Sequence, residues 1–270
     1  MKTISFAENY AGEKYRVFPF YRNGKPADGA GWGMTLRAAG SMRFRWNEIN
    51  ENRSKMLSEI CSAFGGKTVS QVQLDHTKIV FDVEKQSDTN EKTGDGIITQ
   101  NRGLLPVVTV ADCVPIFLFD SESGFFGVVH SGWKGTGIVK NAVQLAGEKY
   151  GAKPADISVA IGPHIHDCCY IVNKERADYF ALNFTPECIK KLEGEELASA
   201  ARNWNNGAGE LFRLSLLKAN LAVLEKAGIL DENIVAAADC TCDSEVFGSN
   251  RRETSCGETF TVQAAFTVRH

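Results

Sequence analysis

Leu105-Pro106-Val107-Val108-Thr109-Val110-Ala111-Asp112-Cys113-Val114-Pro115-Ile116-Phe117-Leu118-Phe119, followed after a short polar turn by Phe125-Phe126-Gly127-Val128-Val129-His130, decides the fold. The runs Leu105–Val110, Pro115–Phe119 and Phe125–His130 are almost continuously apolar and rich in β-branched and aromatic residues. That pattern predicts strands covered on both faces, because a half-exposed strand would alternate apolar with polar. Cys113 and His130 each stand at the end of such a run, so neighbouring strands bring a thiol and an imidazole towards one edge.

Working outward, Gly137–Tyr150 has apolar faces from Ile138, Val139, Ala142, Val143, Leu145 and Ala146 and stops at Gly151, which predicts a helix. Asn47–Glu51 followed by Arg53, Met56, Leu57, Ile60 and Phe64 predicts a capped amphipathic helix ended by Gly65-Gly66. Val69–Val72 and Ile79–Val83 are expected as strands, and Gly96–Thr99 as a short extended piece. The polar insertion Gln86–Asp95 is expected to be a surface loop or a mobile flap. Ile157–Ile161 is expected as a strand ending at Gly162-Pro163. Asn173 to about Asn203 is expected to be helical, with a fresh turn at Pro186. Leu214–Ala227 predicts another helix, and Ile234–Ala238 and Thr259–Val268 close the chain as strands. Strands and helices alternate without a Pro/Gly/Ser linker, so residues 1–270 are expected to form a single mixed α/β domain with helices flanking mixed sheets.

The chain has 270 residues, is 43% hydrophobic and 23% charged, and carries a formal charge of −3. Such a balance gives no basic face for nucleic acid or an anionic membrane. No apolar run approaches the ~20 residues of a bilayer span, and Met1–Glu8 lacks a signal-peptide core. A cytoplasmic protein is expected, with its oligomeric state left open. Of the eight cysteines, most are expected to be reduced, buried and structural, with Cys113 the exception.

His76, Cys113 and His130 supply two imidazoles and one thiolate, a donor set that can hold zinc and leave one position free for water or substrate. Ser131-Gly132-Trp133-Lys134-Gly135-Thr136-Gly137 leads into a helix. It is therefore a candidate anion cradle with Lys134 and Gly135 at its centre, although it lacks the ending of a Walker loop. The same glycines equally suit a tight strand-to-helix turn. Arg53 is a further candidate for an anion, and His164, with His166 and Asp167 behind it, a candidate acid–base group. Trp133 offers a face for a purine or for packing.

Ala-Asp-Cys-x-Pro at 111–115, His-Ser-Gly-Trp-Lys-Gly at 130–135, Ile-Gly-Pro-x-Ile at 161–165 and Cys-Tyr-x-Val at 169–172 stand in an order and spacing that resembles the YfiH-like, or polyphenol oxidase (laccase) domain, family. Asn52-Arg53-x-x-x-Leu57 and Phe247-x-Ser249-x-Arg251-Arg252 are similar to further family segments. The resemblance implies a mixed α/β sandwich distantly similar to Cys–His toxin deamidases, and a mononuclear zinc held by His76, Cys113 and His130. It also implies purine nucleoside phosphorylase activity on adenosine, inosine or guanosine with phosphate. Adenosine deaminase and methylthioadenosine phosphorylase activities are further implied, with Cys113, His130 and His164 as catalytic candidates. The older family name implies copper-dependent phenol oxidation, yet multicopper chemistry needs many imidazoles and this chain has five histidines. A Cys–His amidohydrolase and a non-enzymatic zinc-containing binding module stand as the other readings. At the first ligand the family shows Gln-x-His-x-x-x-Val. Aligning His76 keeps Val80 but moves the glutamine to Gln73, whereas Gln71-Val72-Gln73 keeps the spacing and offers no imidazole. Near the last strand Val262-Gln263 replaces the family's Arg-Gln.

Overall fold

The computed structural model describes residues 1–202 and 209–270. In chain order the strands and helices are β1 (Lys2–Ile4), β2 (Tyr15–Arg22), β3 (Lys25–Thr35), α1 (Glu51–Ala63), β4 (Thr68–Gln71), β5 (Val80–Asp82) and β6 (Gly96–Thr99). There follow β7 (Leu104–Val110), β8 (Val114–Phe119), β9 (Phe126–Ser131), α2 (Ile138–Tyr150), β10 (Ser158–Ile161), β11 (Ile171–Asn173) and α3 (Lys174–Asn183). The chain closes with β12 (Ile189–Lys191), α4 (Gly194–Arg202), β13 (Leu211–Leu214), α5 (Leu216–Lys226), β14 (Ile234–Ala237), α6 (Asn250–Ser255) and β15 (Gln263–Arg269).

A seven-stranded sheet runs β1-β14-β10-β8-β9-β6-β5, and a five-stranded sheet β2-β3-β15-β7-β4 lies against it. The residues between them explain the packing. Phe117, Phe119, Phe126 and Val128 of the first sheet meet Trp32, Met34, Val108, Val110 and Ala265 of the second. Because side chains alternate along a strand, Ile116 and Leu118 point the other way, onto Ile138, Val139 and Ala142 of α2 and Leu224 of α5. The outer face of the five-stranded sheet is covered by Met56, Leu57 and Ile60 of α1. The mixed α/β architecture is therefore helix, sheet, sheet, helix, and β7, β8 and β9 are buried because they lie inside it. Asn50 and Ser215 cap α1 and α5 by accepting the backbone N–H of Arg53 and Lys218.

One expectation changes, and two further features stand out. Residues 173–202 are not one helical stretch: α3 ends at Asn183, and Ile189–Lys191 forms β12 before α4. Each strand of that third sheet, β11-β13-β12, is only three or four residues long, too short to leave a period in the sequence. Asn203 lies outside the described residues. The Gln86–Asp95 insertion is a surface loop whose far end is tied down, since Gly94 N–H donates to Gln73 O at 3.0 Å and Asp95 is fully buried. Residues 15–35, for which no element is expected, form the long β2–β3 hairpin. No helix among the described residues is long and apolar enough to cross a membrane.

Candidate active site

The site forms where β6, β8 and β9 share one sheet end. In the β8–β9 hairpin His130 lies opposite Pro115, and Gly96 of β6 lies opposite Val129. This register sets Cys113, just ahead of β8, beside His130, the penultimate residue of β9. Asp95, just ahead of β6, reaches the same place: its carbonyl accepts the His130 N–H at 2.7 Å. His76 arrives from the segment before β5. It occupies a bend between the two expected strands 69–72 and 79–83, with a left-handed φ of 55°, a conformation for which histidine is among the better-tolerated side chains.

The ligand atoms of His76, Cys113 and His130 all lie within 4.8 Å of one another. The imidazole planes of His76 and His130 meet nearly at right angles with centroids 5.0 Å apart. Gly132 closes the triangle: a Cβ there would stand 3.0 Å from His76 Cδ2, 3.2 Å from Cys113 Sγ and 3.3 Å from His130 Cε1. Of the two ways of aligning this segment, the one that uses His76 is the one whose side chain meets the other two donors.

Asp95 is the residue that sequence reasoning missed. Its buried carboxylate accepts His130 Nδ1–H at 2.8 Å, and also accepts the backbone N–H groups of His76 and Thr77 and the Thr77 hydroxyl. It therefore fixes the His130 tautomer with Nε2 left free for a ligand, and anchors the His76 bend at the same time. Burial acts to raise the Asp95 pKa, but the His130 and Thr77 hydrogen bonds outweigh it and the net shift is downwards. Burial would also push the Cys113 thiol up; His130 and His76 oppose this and bring it down to about 6. Burial acts to lower the His130 pKa, while the Cys113 thiolate and Asp95 raise it to about 9. Without a metal the centre is thus a thiolate–imidazolium pair. Two imidazoles and a thiolate within mutual reach, one imidazole with a carboxylate behind it, fit a zinc ion.

A cleft of ≈470 Å³ opens over this centre, within the usual range for small-molecule sites. Phe44, Trp133, Tyr170 and Phe260 give it aromatic walls, and Arg43, Arg45, Arg176 and Arg251 rim it. Arg176 stacks over Trp133 at 4.1 Å and Arg251 lies over Tyr170 at 5.4 Å. Burial raises the Tyr170 phenol despite the opposing pull of Arg176, keeping its hydroxyl protonated. Asp112, at φ 78°, ties the Cys113 turn to α6 by accepting Thr241 Oγ1–H, Ser249 Oγ–H and the Arg251 N–H.

Four sequence candidates fall outside the cleft. Arg53 is buried beneath it, with Nε–H donating to Met42 O and its guanidinium 4.7 Å over Phe44. Lys134 is exposed, its Nζ 5.4 Å over the Trp133 ring. Gly135 packs against backbone, where a Cβ would stand 2.9 Å from Thr77 O. The glycine-rich segment is thus a packing turn, and Gly137 at the start of α2 faces Lys78 and Phe184. His164 is fully buried, bonded through Nδ1 to Gly162 O at 2.8 Å, and burial together with His166 lowers its pKa to about 3. The cationic side of the cleft comes instead from the four arginines, which are scattered through the sequence.

The family model described as multi-copper polyphenol oxidoreductase laccase matches residues 41–265, and the chain belongs to that family. Purine nucleoside phosphorylase YlmD of Geobacillus stearothermophilus is 33% identical over 162 residues, covering 59% of this chain and 55% of that protein. Purine nucleoside phosphorylase LACC1 of Mus musculus is 29% identical over 225 residues, 81% of this chain and 47% of that protein. The match therefore spans about half the length of these curated relatives. Adenosine deaminase RL5, from an unknown prokaryotic organism, is 34% identical over 184 residues, 67% of this chain and 65% of that protein. Among solved structures, YlmD from Geobacillus stearothermophilus superposes with a TM-score of 0.73 at 26% identity, covering 90% of this chain and 93% of that one.

Proposed function

We propose that residues 1–270 act as one YfiH-like unit, a zinc-dependent purine nucleoside phosphorylase cleaving adenosine-, inosine- or guanosine-type nucleosides with phosphate. The observation that carries this reading is the meeting of His76, Cys113 and His130 at the floor of an arginine-rimmed aromatic cleft. The purine nucleoside phosphorylase names of relatives covering up to 81% of the chain support it.

His76, Cys113 and His130 would hold the ion, which when bound polarises an oxygen at its open position. Asp95, holding His130 Nδ1, keeps His130 Nε2 aimed at the place the ion would take. The guanidinium groups of Arg43, Arg45, Arg176 and Arg251 neutralise phosphate and hold it beside the ribose through their planar forks. Trp133, Phe44 and Phe260 sandwich the purine and keep water off it. Tyr170 stays protonated and donates from Oη into the cleft. Lys134, Gly135, Arg53 and His164 have no part in these contacts.

The same cleft admits methylthioadenosine, and the likeness to adenosine deaminase RL5 supports deamination of adenosine as a side activity. Multicopper phenol oxidation has less support, since of five histidines only His76 and His130 face the cleft. Zinc-loaded protein given a nucleoside panel with and without phosphate tests the proposal. The expected products are free base and ribose 1-phosphate, formed only with phosphate and lost in Cys113→Ala. Full turnover in Cys113→Ala and His130→Ala would overturn it.

A further inference from the structure

A second set of soft donors lies behind the cleft. Cys168, Cys169 and Cys240 bring their sulfur atoms within 4.8 Å of one another, with Cys168 Sγ and Cys169 Sγ 3.6 Å apart. All three are free thiols, and Cys242, also free, follows Cys240 by two residues in the same turn. We propose that Cys168, Cys169 and Cys240 form a second, thiolate-only site for a thiophilic divalent cation of the zinc class, with Cys242 next in reach for the fourth position.

The two loops are held for this arrangement before any ion arrives. Arg213 Nη1–H donates to the carbonyls of Asp167 and Cys168, and Arg251 Nη1–H donates to that of Cys169. Arg252 Nη1–H donates to the carbonyls of Thr241, Cys242 and Ser244. Arg213 and Arg252 are committed to backbone oxygens, and together with the single Arg251 Nη1 contact they fix the turns that aim the sulfurs. The backbone N–H of His166 donates to Cys240 Sγ at 3.3 Å, the kind of outer contact that stabilises a sulfur carrying charge on a metal.

Tetrahedral zinc with bonds of ~2.3 Å sets its sulfurs under ~4 Å apart, close to the spacing already present. A disulfide suits the cluster less well. Consecutive Cα atoms stand ~3.8 Å apart, short of the ~4.4–6.8 Å that a disulfide usually spans, and a 168–169 bridge would leave Cys240 without a partner. Cys168 is exposed and gives an ion access from solvent. Binding would release the thiol protons to solvent and form metal–sulfur bonds, with no change of oxidation state.

The site is independent of the cleft's activity, so its test removes the first centre. His76→Ala/Cys113→Ala/His130→Ala protein, prepared reduced and anaerobic and checked for folding by circular dichroism, is titrated with Co2+ alone. The expected result is a near-ultraviolet sulfur-to-cobalt charge-transfer band, with Cys168, Cys169 and Cys240 protected from iodoacetamide as mapped by mass spectrometry. Adding Cys168→Ser, a change at an exposed side chain, weakens Co2+ binding, and Cys168→Ser/Cys169→Ser abolishes the band. Absence of the band, or protection of a different set of thiols, overturns the proposal.

Discussion

Asp95 controls the candidate centre although it offers no atom to an ion in the proposed set. It orients His130 through Nδ1 and holds the His76 bend through two backbone N–H groups. Asp95→Asn should therefore weaken zinc binding by ~10–100-fold, read by competition with a chelating dye; unchanged affinity would deny it a positioning role. In metal-free protein the Cys113 pKa of about 6 and the His130 pKa of about 9 define a window. Between them the thiolate and the imidazolium coexist, so iodoacetamide should modify Cys113 with a midpoint near pH 6, well below an ordinary thiol at ~8.5. Zinc should suppress the reaction, and a midpoint above pH 8 would contradict the pairing. Cys113 and His130 were legible in the sequence because each closes an apolar run. Asp95 was not, being one acidic residue at the end of a polar loop. The cleft arginines were equally hidden, since Arg43, Arg45, Arg176 and Arg251 come together only in the fold.

At the scale of elements, turns matter more than regular structure. The Gly132 turn lets β9 leave the sheet without crowding the donors. Gly132→Ala would press a Cβ to 3.0–3.3 Å from three donor side chains, so metal loading should fall while α2, which begins beyond Gly137, stays folded. Normal metal content in that variant would show that the turn has room to spare. Of the two sequence readings of this segment, anion cradle or tight strand-to-helix turn, the packing of Gly135 against Thr77 O favours the turn. Helices α1, α2 and α5 were legible through their caps and apolar periods. The sheet β11-β13-β12 was not, because strands of three or four residues carry no pattern of their own.

For the whole molecule, the two packed sheets hold the site's strands at a fixed register. Phe117 is buried between them against Trp32, with ring centroids 5.1 Å apart. Phe117→Ala should destabilise the protein by about 3–5 kcal/mol, measured by denaturant unfolding of metal-free protein, and a loss below about 1 kcal/mol would mean the sheets repack freely. The central strands β7, β8 and β9 were readable because burial on both faces makes them continuously apolar. The β2–β3 hairpin was not. Arg22, Lys25, Pro26 and Asp28 interrupt it, and a register shift between Pro19 and Phe20 breaks its alternation.

The most direct test of the account is a crystal of zinc-loaded protein with anomalous data collected on both sides of the zinc absorption edge. The account predicts a peak bonded to one nitrogen of His76, to His130 Nε2 and to Cys113 Sγ, at ~2.0–2.3 Å, with His130 Nδ1 on Asp95. A density map in which these side chains diverge, with no anomalous peak between them, would contradict it.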